Sequence, residues 1–413
     1  MKILWIVNFS MPAVQQQLNL PVSPSGWWLD TISKKLKNLS DVELHIVSLV
    51  QENTTYSGNI DGICYRTISI SYQDRQIKPS VQFTQRMQEL LQEIKPDLIH
   101  LQGSEFPIGI PFLKQNNIPV VLSIQGLISE ITKKDYSYPE LRFWFSPLDW
   151  LKEKLRHLKN KKRAESEIWQ LQNVDYVIGR TLWDRTHTYF HNKNAKYFYL
   201  QECIRKTFME NTWDISNTEP CTIFCAGGLA NPLKGFHKIV EAASYLKDEF
   251  PQLKLKVCGA YHKGQKIGYH HYLSKWIQKL GMEQHIEFLG SLDEKTMCDT
   301  FLKSRMYVMG SSMENSPNTL GEAMCLGVPS VVPFVGGVPS LATDVKEALF
   351  YRYEDTKALA YQMRRLLLDE NLAVSLGENA NQRAKRQYQT DMLSENLASI
   401  YGAIISAQKE KRG

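Results

Sequence analysis

Cysteine is sparse and unpaired in this sequence: seven are scattered over 413 residues, with no C-x-x-C spacing and an odd total. That pattern argues against a disulfide framework and a cysteine metal knuckle, and it fits reduced thiols in a cytosol. No apolar run approaches the roughly 18 residues needed to span a bilayer, so membrane contact is expected to be peripheral. The opening Met1-Lys-Ile-Leu-Trp-Ile-Val-Asn8 is too short for a signal-peptide core and reads as a buried first strand. No D-x-D pair occurs, and no strand is followed by G-x-G-x-x-G, which sets aside a dinucleotide-dependent oxidoreductase. No fixed-period repeat is present, and glycine and proline stand near their average share, so neither a solenoid nor a disordered chain is indicated. The net charge of +6 is a mild excess. It suits phosphates, anionic lipid or nucleic acid alike, and no nucleic-acid partner is expected because one would not account for the pair Glu314 and Glu322.

What is present is length and alternation. A chain of 413 residues exceeds one ordinary core, which implies two domains of roughly 200 residues each. Short Val- and Ile-rich runs alternate with segments of helical period, the pattern of parallel sheets covered on both faces. The strand candidates are 2–8, 42–49, 97–101, 119–124 and 175–179, then 222–226, 254–259, 286–289, 306–309, 330–333 and 349–351. Helices are expected at 238–247, 272–280 and 356–369, among others. Two successive βα series imply an α/β protein with two Rossmann-like halves. The pattern lapses over 202–220, so the domains are drawn at 1–205 and 206–390. A helix and tail at 391–413 are expected to pack back toward the first domain.

The densest chemical signal is Ser311-Ser-Met-Glu314-Asn-Ser316-Pro317-Asn318-Thr319-Leu-Gly-Glu322-Ala-Met324, between a strand and a helix. Ser316 reads as the N-cap with Pro317 at the first helical position, so the amides of Asn318 and Thr319 point out of the helix start, where phosphate binds readily. Glu314 and Glu322 then lie near the carboxyl end of a strand, where open α/β sheets bind ligands and where carboxylates accept hydrogen bonds from sugar hydroxyls. An isolated E-x7-E also occurs on plain surface helices. Upstream, the strand at 222–226 runs into Gly227-Gly228-Leu229, and Lys234-Gly235 opens a helix from which a lysine reaches a diphosphate as a point charge. Downstream, Gly336-Gly337 forms a loop able to approach a ligand closely.

In this order, from Gly227 through Lys234-Gly235, Phe288-Leu-Gly290, Glu314 to Glu322 and Gly336-Gly337, the C-terminal half resembles the donor site of retaining glycosyltransferases of the family 4 type, the glycosyl transferases group 1. The resemblance implies the GT-B fold, two Rossmann-like domains facing each other across a cleft. It also implies that Glu322 holds the donor ribose, Glu314 contacts the transferred sugar, and Lys234 with the amides of Asn318 and Thr319 holds the diphosphate. The Gly227-Gly228 turn belongs to the same donor site. Family members often carry an arginine where this chain has Gly228, so phosphate neutralisation is weaker or comes from elsewhere. Arg180 is a candidate to reach the donor from the first half, and pairing with Asp184 is the alternative.

The first half resembles the family more loosely. Gly26, in Ser25-Gly26-Trp27-Trp28, resembles the glycine loop near the donor phosphate. Gln102 and Gln125 stand at strand ends where the family often has histidine. Glutamine cannot take a proton, so both are read as hydrogen-bonding acceptor or sugar, or else as satisfying strand-end backbone. In the front-face mechanism implied by the family, the leaving diphosphate takes the acceptor proton. No metal and no cofactor are expected beyond the nucleotide-sugar co-substrate. The resemblance points to a glycan or lipid-linked acceptor in synthesis of capsule, exopolysaccharide or lipopolysaccharide. The aromatic and basic segment 142–163 is read either as an interfacial element docking on an anionic leaflet or as a solvated helix beside a core patch. A catalytically degenerate sugar-nucleotide-binding protein of the same fold remains the alternative function; a phosphorylase would need a cofactor lysine that the sequence does not reveal.

Overall fold

In the computed structural model the βα alternation resolves into two mainly parallel sheets, described over residues 1–22, 26–39, 41–51, 54–115, 117–134, 147–227, 229, 231–262, 264 and 268–411. The first sheet comprises β1 (Lys2–Val7), β2 (Glu43–Val50), β3 (Tyr56–Ile60), β4 (Ile63–Ser69), β5 (Leu98–Gln102), β6 (Val120–Ser123), β7 (Tyr176–Gly179) and β8 (Lys196–Tyr199). Its spatial order is β3-β4-β2-β1-β5-β6-β7-β8, parallel except for the β3–β4 hairpin. The second sheet holds β9 (Glu219–Cys225), β10 (Lys254–Cys258), β11 (Ile286–Gly290), β12 (Ser304–Val308), β13 (Ser330–Pro333) and β14 (Leu349–Tyr351). Its order is β11-β10-β9-β12-β13-β14, all parallel.

In each sheet the strand order reverses beside the first strand, between β1 and β5 and between β9 and β12. Such reversals open a crevice at the carboxyl ends of the strands, and loops leaving there are placed to meet a ligand. The central strands read as continuous buried apolar runs because helices cover both faces: β1, β5, β12 and β13 are buried nearly throughout.

The chain divides into one unit of Met1–Lys133, Arg156–Cys203 and Tyr388–Gly413 and a second of Lys134–Leu155 and Ile204–Gln387. The helix Thr390–Glu410 belongs to the first unit. Its Leu393, Leu397, Tyr401 and Ile404 recur at helical spacing and join the core that also holds Trp5, Leu29, Ile32 and Leu36. Burying each such aliphatic side chain contributes about 1.5–3 kcal/mol. Tyr401 adds polar definition, because its hydroxyl accepts from Trp5 Nε1 at 2.9 Å and lies 2.6 Å from His100 Nδ1. Gln102 Nε2 also points at Nδ1, at 3.0 Å, so the ring proton resides on Nε2 and goes to Ser123 Oγ at 2.6 Å. Burial holds this imidazole neutral, pushing its pKa down to about 3.

The hairpin β3–β4 and the edge strand β8 are additions to the strands expected from sequence. In β3, Tyr-Ser-Gly-Asn-Ile alternates partly buried with exposed positions, and β8 is half exposed throughout, so neither carries the apolar run of a covered strand.

Candidate functional site

The switch point of the second sheet gathers three loops. After β9, Asn231 caps a single 3-10 turn, Pro232–Lys234, by accepting the Leu233 amide at 3.0 Å. Gly235 follows at φ +62°, and a Cβ there would stand 1.8 Å from the carbonyl oxygen of Gly310. Only glycine allows this loop to lie against the end of β12. The Ser312 amide donates to Leu233 O at 2.8 Å and fastens the two loops together. Lys234 Nζ and Glu314 Oε1 thereby come within 2.6 Å. The loop after β13 completes the arrangement: Gly337 N–H donates to Glu314 O at 3.0 Å, and a Cβ on Gly336 would fall 2.0 Å from that same oxygen. The Gly-Gly pair thus seats the backbone of Glu314.

The helix that follows runs Asn318–Leu326. Its start corrects the sequence reading: Pro317, with ψ 115°, is the cap, and no side chain caps the helix. Leu320 and Gly321 both donate to Pro317 O, so the first helical carbonyl belongs to Pro317 and the helix begins one residue later than expected from Ser316. The amides of Asn318 and Thr319 still precede the helical ladder, at the positive end of the helix dipole. Thr319 Oγ1 lies 3.1 Å from Tyr307 Oη, which ties the helix start to β12.

Glu322 lies one turn further along and is only 2% exposed. Its partner is Arg205, whose Nε and Nη2 both converge on Oε1, at 2.7 and 2.6 Å. The guanidinium lies 4.5 Å from the centre of the Phe208 ring, with Nη2 3.3 Å from Met297 Sδ. Burial pushes the Glu322 pKa up to about 7; Arg205 opposes that rise and Glu294 adds to it. Sequence reasoning missed Arg205. It lies in the stretch where the periodic pattern lapses, 117 residues from its partner, and a lone arginine before a phenylalanine carries no signature.

In the first unit, Gly26 caps the helix Trp27–Lys37 at φ +86°, where a Cβ would stand 2.0 Å from a ring carbon of Phe9. Gln102 is buried against His100. Arg180 corrects both sequence options. Its guanidinium is buried within the first unit, with Nη1 2.7 Å from Glu202 and Nη2 donating to Gln125 O at 2.7 Å. Asp184 instead receives the Arg180 backbone N–H at 2.9 Å and boxes the next helix with Thr181. Trp5, Trp28, Gln102, Gln125, Arg180 and Glu202 border one cavity of about 40 Å³. It has room for a few waters and none for a sugar ring.

Lys234, Glu314, Asn318, Thr319 and Glu322 thus lie on the loops and helix that follow the central strands β9 and β12 of the second sheet, while Gly26, Gln102, Gln125 and Arg180 lie at strand ends and loops of the first. Gly228 lies outside the described residues. Among the described residues no group of three or more His, Cys, Asp or Glu is placed to hold a metal, and no helix is long and apolar enough to cross a membrane.

Residues 210–383 match the family model of glycosyl transferases group 1. Curated relatives include the D-inositol 3-phosphate glycosyltransferase of Corynebacterium urealyticum, 24% identical over 44% of this chain and 43% of that protein. Another is the capsular polysaccharide biosynthesis glycosyltransferase CapM of Staphylococcus aureus, 21% identical over 43% of this chain and 45% of its own. The matched stretch spans less than half the length of either relative. Among solved structures, sucrose-phosphate synthase from Thermosynechococcus elongatus superposes with a TM-score of 0.78 at 15% identity, covering 98% of this chain and 100% of that one. HepE of Anabaena, solved with UDP-glucose, superposes with a TM-score of 0.68 at 15% identity and the same coverage.

Proposed function

We propose, for a chain of GT-B fold whose residues 210–383 match the model of glycosyl transferases group 1, that the protein transfers a hexose or related sugar from a nucleotide-diphosphate sugar. The acceptor is a glycan or lipid-linked saccharide, the anomeric configuration is retained, and the setting is cell-surface polysaccharide synthesis. The observation that carries this reading is the convergence of Lys234, Glu314 and the Asn318–Leu326 helix start at the strand switch. CapM, a capsule-synthesis enzyme by name, supports the setting, and the UDP-glucose bound to HepE supports a UDP-sugar as the first donor to test.

Each residue then has a chemical task. Lys234 and the amides of Asn318 and Thr319 take up the charge that grows on the departing diphosphate, a role that needs neither a divalent metal nor a resident cofactor. Glu322 accepts from the ribose hydroxyls, and Glu314 accepts from a hydroxyl of the transferred sugar. In the retaining step the bond from the anomeric carbon to the diphosphate oxygen breaks. A bond to the acceptor oxygen forms on the same face, and the acceptor proton passes to the released phosphate oxygen. In the first unit the space at Gly26 is taken by the Phe9 ring, so any part it has in donor binding falls to its backbone, and Gln102 and Gln125, bordering a cavity too small for a sugar ring, would meet acceptor or sugar hydroxyls only through water. Arg180 supports Gln125 through its carbonyl oxygen.

Peripheral contact with an anionic membrane at the cytoplasmic face belongs to the same proposal. Residues 142–146 of the aromatic and basic segment lie outside the described residues. The helix Pro147–Asn173 exposes Leu151, Leu155 and Leu158 at helical spacing, among Lys154, Arg156, Lys161 and Lys162. Leucines flanked by cations suit the boundary between headgroups and acyl chains.

The test is a thermal-shift screen with UDP, GDP, ADP, CMP and their sugar conjugates, without metal and then with Mg²⁺. One nucleotide raising the melting temperature without metal, followed by slow hydrolysis of its sugar conjugate, supports the transferase. No shift from any nucleotide overturns the donor site.

A further inference from the structure

We infer that Arg205 is the positioning residue of the ribose subsite: it fixes Glu322 by occupying Oε1 and leaves Oε2 to accept from the vicinal hydroxyls of the donor. The inference rests on the reading that Glu322 binds ribose, and it adds a residue that the family resemblance does not supply.

The geometry is directional. Nε and Nη2 of one guanidinium close on a single oxygen, at 2.7 and 2.6 Å, in place of the usual fork across both. No hydrogen bond among the described residues goes to Oε2. The guanidinium is itself held, with Phe208 4.5 Å from it and Met297 Sδ 3.3 Å from Nη2, which favours one orientation of the carboxylate it grips. A vicinal diol offers two O–H donors side by side. A fixed carboxylate with one oxygen uncommitted receives them without first breaking its own ion pair.

Charge points the same way. Glu322 is buried, with Arg205 as its cation and Glu294 acting against its ionisation. The other titratable groups facing it are the thiols of Cys258 at the end of β10, Cys298 on the helix Glu294–Lys303 and Cys325 on its own helix. Lys385, on the helix packed against Asn318–Leu326, acts on Cys325. Removing Arg205 therefore raises the pH at which Glu322 becomes a carboxylate, and a protonated acid loses an acceptor that the diol needs.

The experiment measures affinity for UDP and for 2′,3′-dideoxy-UDP between pH 6 and 9, in the wild type and in Arg205→Met, Arg205→Lys and Glu322→Gln. The wild type is expected to prefer UDP by about tenfold at pH 7.5. Arg205→Met is expected to lose that preference near pH 7 and regain part of it at pH 9, while Arg205→Lys shows a smaller displacement of the same profile. A merely structural arginine would lower affinity for both ligands alike and leave their ratio independent of pH. The wild-type ratio at every pH in Arg205→Met overturns the inference. Should Arg205→Met fail to fold by circular dichroism, an unchanged profile in Arg205→Lys overturns it equally. Absence of any UDP preference in the wild type, with Glu322→Gln no different, instead overturns the ribose reading beneath it.

Discussion

Lys234 Nζ and Glu314 Oε1 stand 2.6 Å apart although 80 residues of chain separate them. Each side chain occupies the other's charge. In the proposed reaction the diphosphate takes the ammonium and the transferred sugar takes the carboxylate, so donor binding exchanges one ion pair for two separate contacts. The lysine is 38% exposed, and such a pair contributes only about 0–1 kcal/mol to stability.

Lys234→Ala is therefore expected to melt within a few degrees of the wild type. It should lose about 1.5–3 kcal/mol of affinity for a nucleoside diphosphate and none for the nucleoside. Calorimetric titration with both ligands checks this. Glu314→Gln should bind the diphosphate almost unchanged and turn over far more slowly.

Glu322→Ala should act on both stability and binding. It leaves the part-buried Arg205 guanidinium without its carboxylate, a loss that approaches but should not exceed the roughly 3–5 kcal/mol of a fully buried pair. Donor affinity should also fall by about 1.5–3 kcal/mol. Urea unfolding and nucleotide titration read the two effects separately; an early-melting variant with normal nucleotide binding would make Glu322 purely structural.

Gly235→Ala should be among the most damaging single-atom-scale changes in the second unit. The added methyl would meet Gly310 O at 1.8 Å, at a φ of +62°. The expected outcome is a melting temperature lowered by several degrees and loss of nucleotide-induced stabilisation, because the loop carrying Lys234 must lift away. An unaltered thermal-shift response would contradict the packing described here.

Stability should also depend on His100. Its folded pKa, about 3, lies below the unfolded value near 6.5, so between those limits the unfolded chain binds more protons. The neutral imidazole's contribution is whole above about pH 6.5 and is lost as pH falls, by up to about 1.4 kcal/mol per unit. Glu105, whose pKa burial pushes up to about 7, works in the opposite sense. The effect is therefore read as a difference: His100→Gln should flatten the decline in unfolding free energy between pH 6.5 and 4. Tyr401→Phe, which removes the hydroxyl between Trp5 and His100, should cost about 1–3 kcal/mol at neutral pH.

Legibility in the sequence followed burial. Strands 330–333 and 349–351 are found where the apolar runs place them, and β1, β10 and β11 differ from expectation by one residue at an end. Doubly covered strands write themselves as Val and Ile runs; β3 and the edge strand β8, half wetted, do not, and in β4 Cys64, Arg66 and Thr67 interrupt the apolar run. The loop at Lys234 and Glu314 was legible because glycine, proline and charge at fixed offsets have few other uses. Arg205 and Glu202 were not, because their partners, Glu322 and Arg180, are set by tertiary placement and leave no local pattern.

The chain leaves the first unit twice, over Lys134–Leu155 and over Ile204–Gln387, so the second unit is in effect spliced into the first. Synthesis proceeds from one end, and this imposes an order of completion. The sheet carrying Trp5 and His100 emerges early yet stays unsealed until Tyr401 and its helix arrive, whereas 204–387 is wholly available before then. A ribosome stalled anywhere short of that helix releases a chain with an open first core. That helix, far from Trp5 and His100 in sequence, is thus the piece that closes the first core.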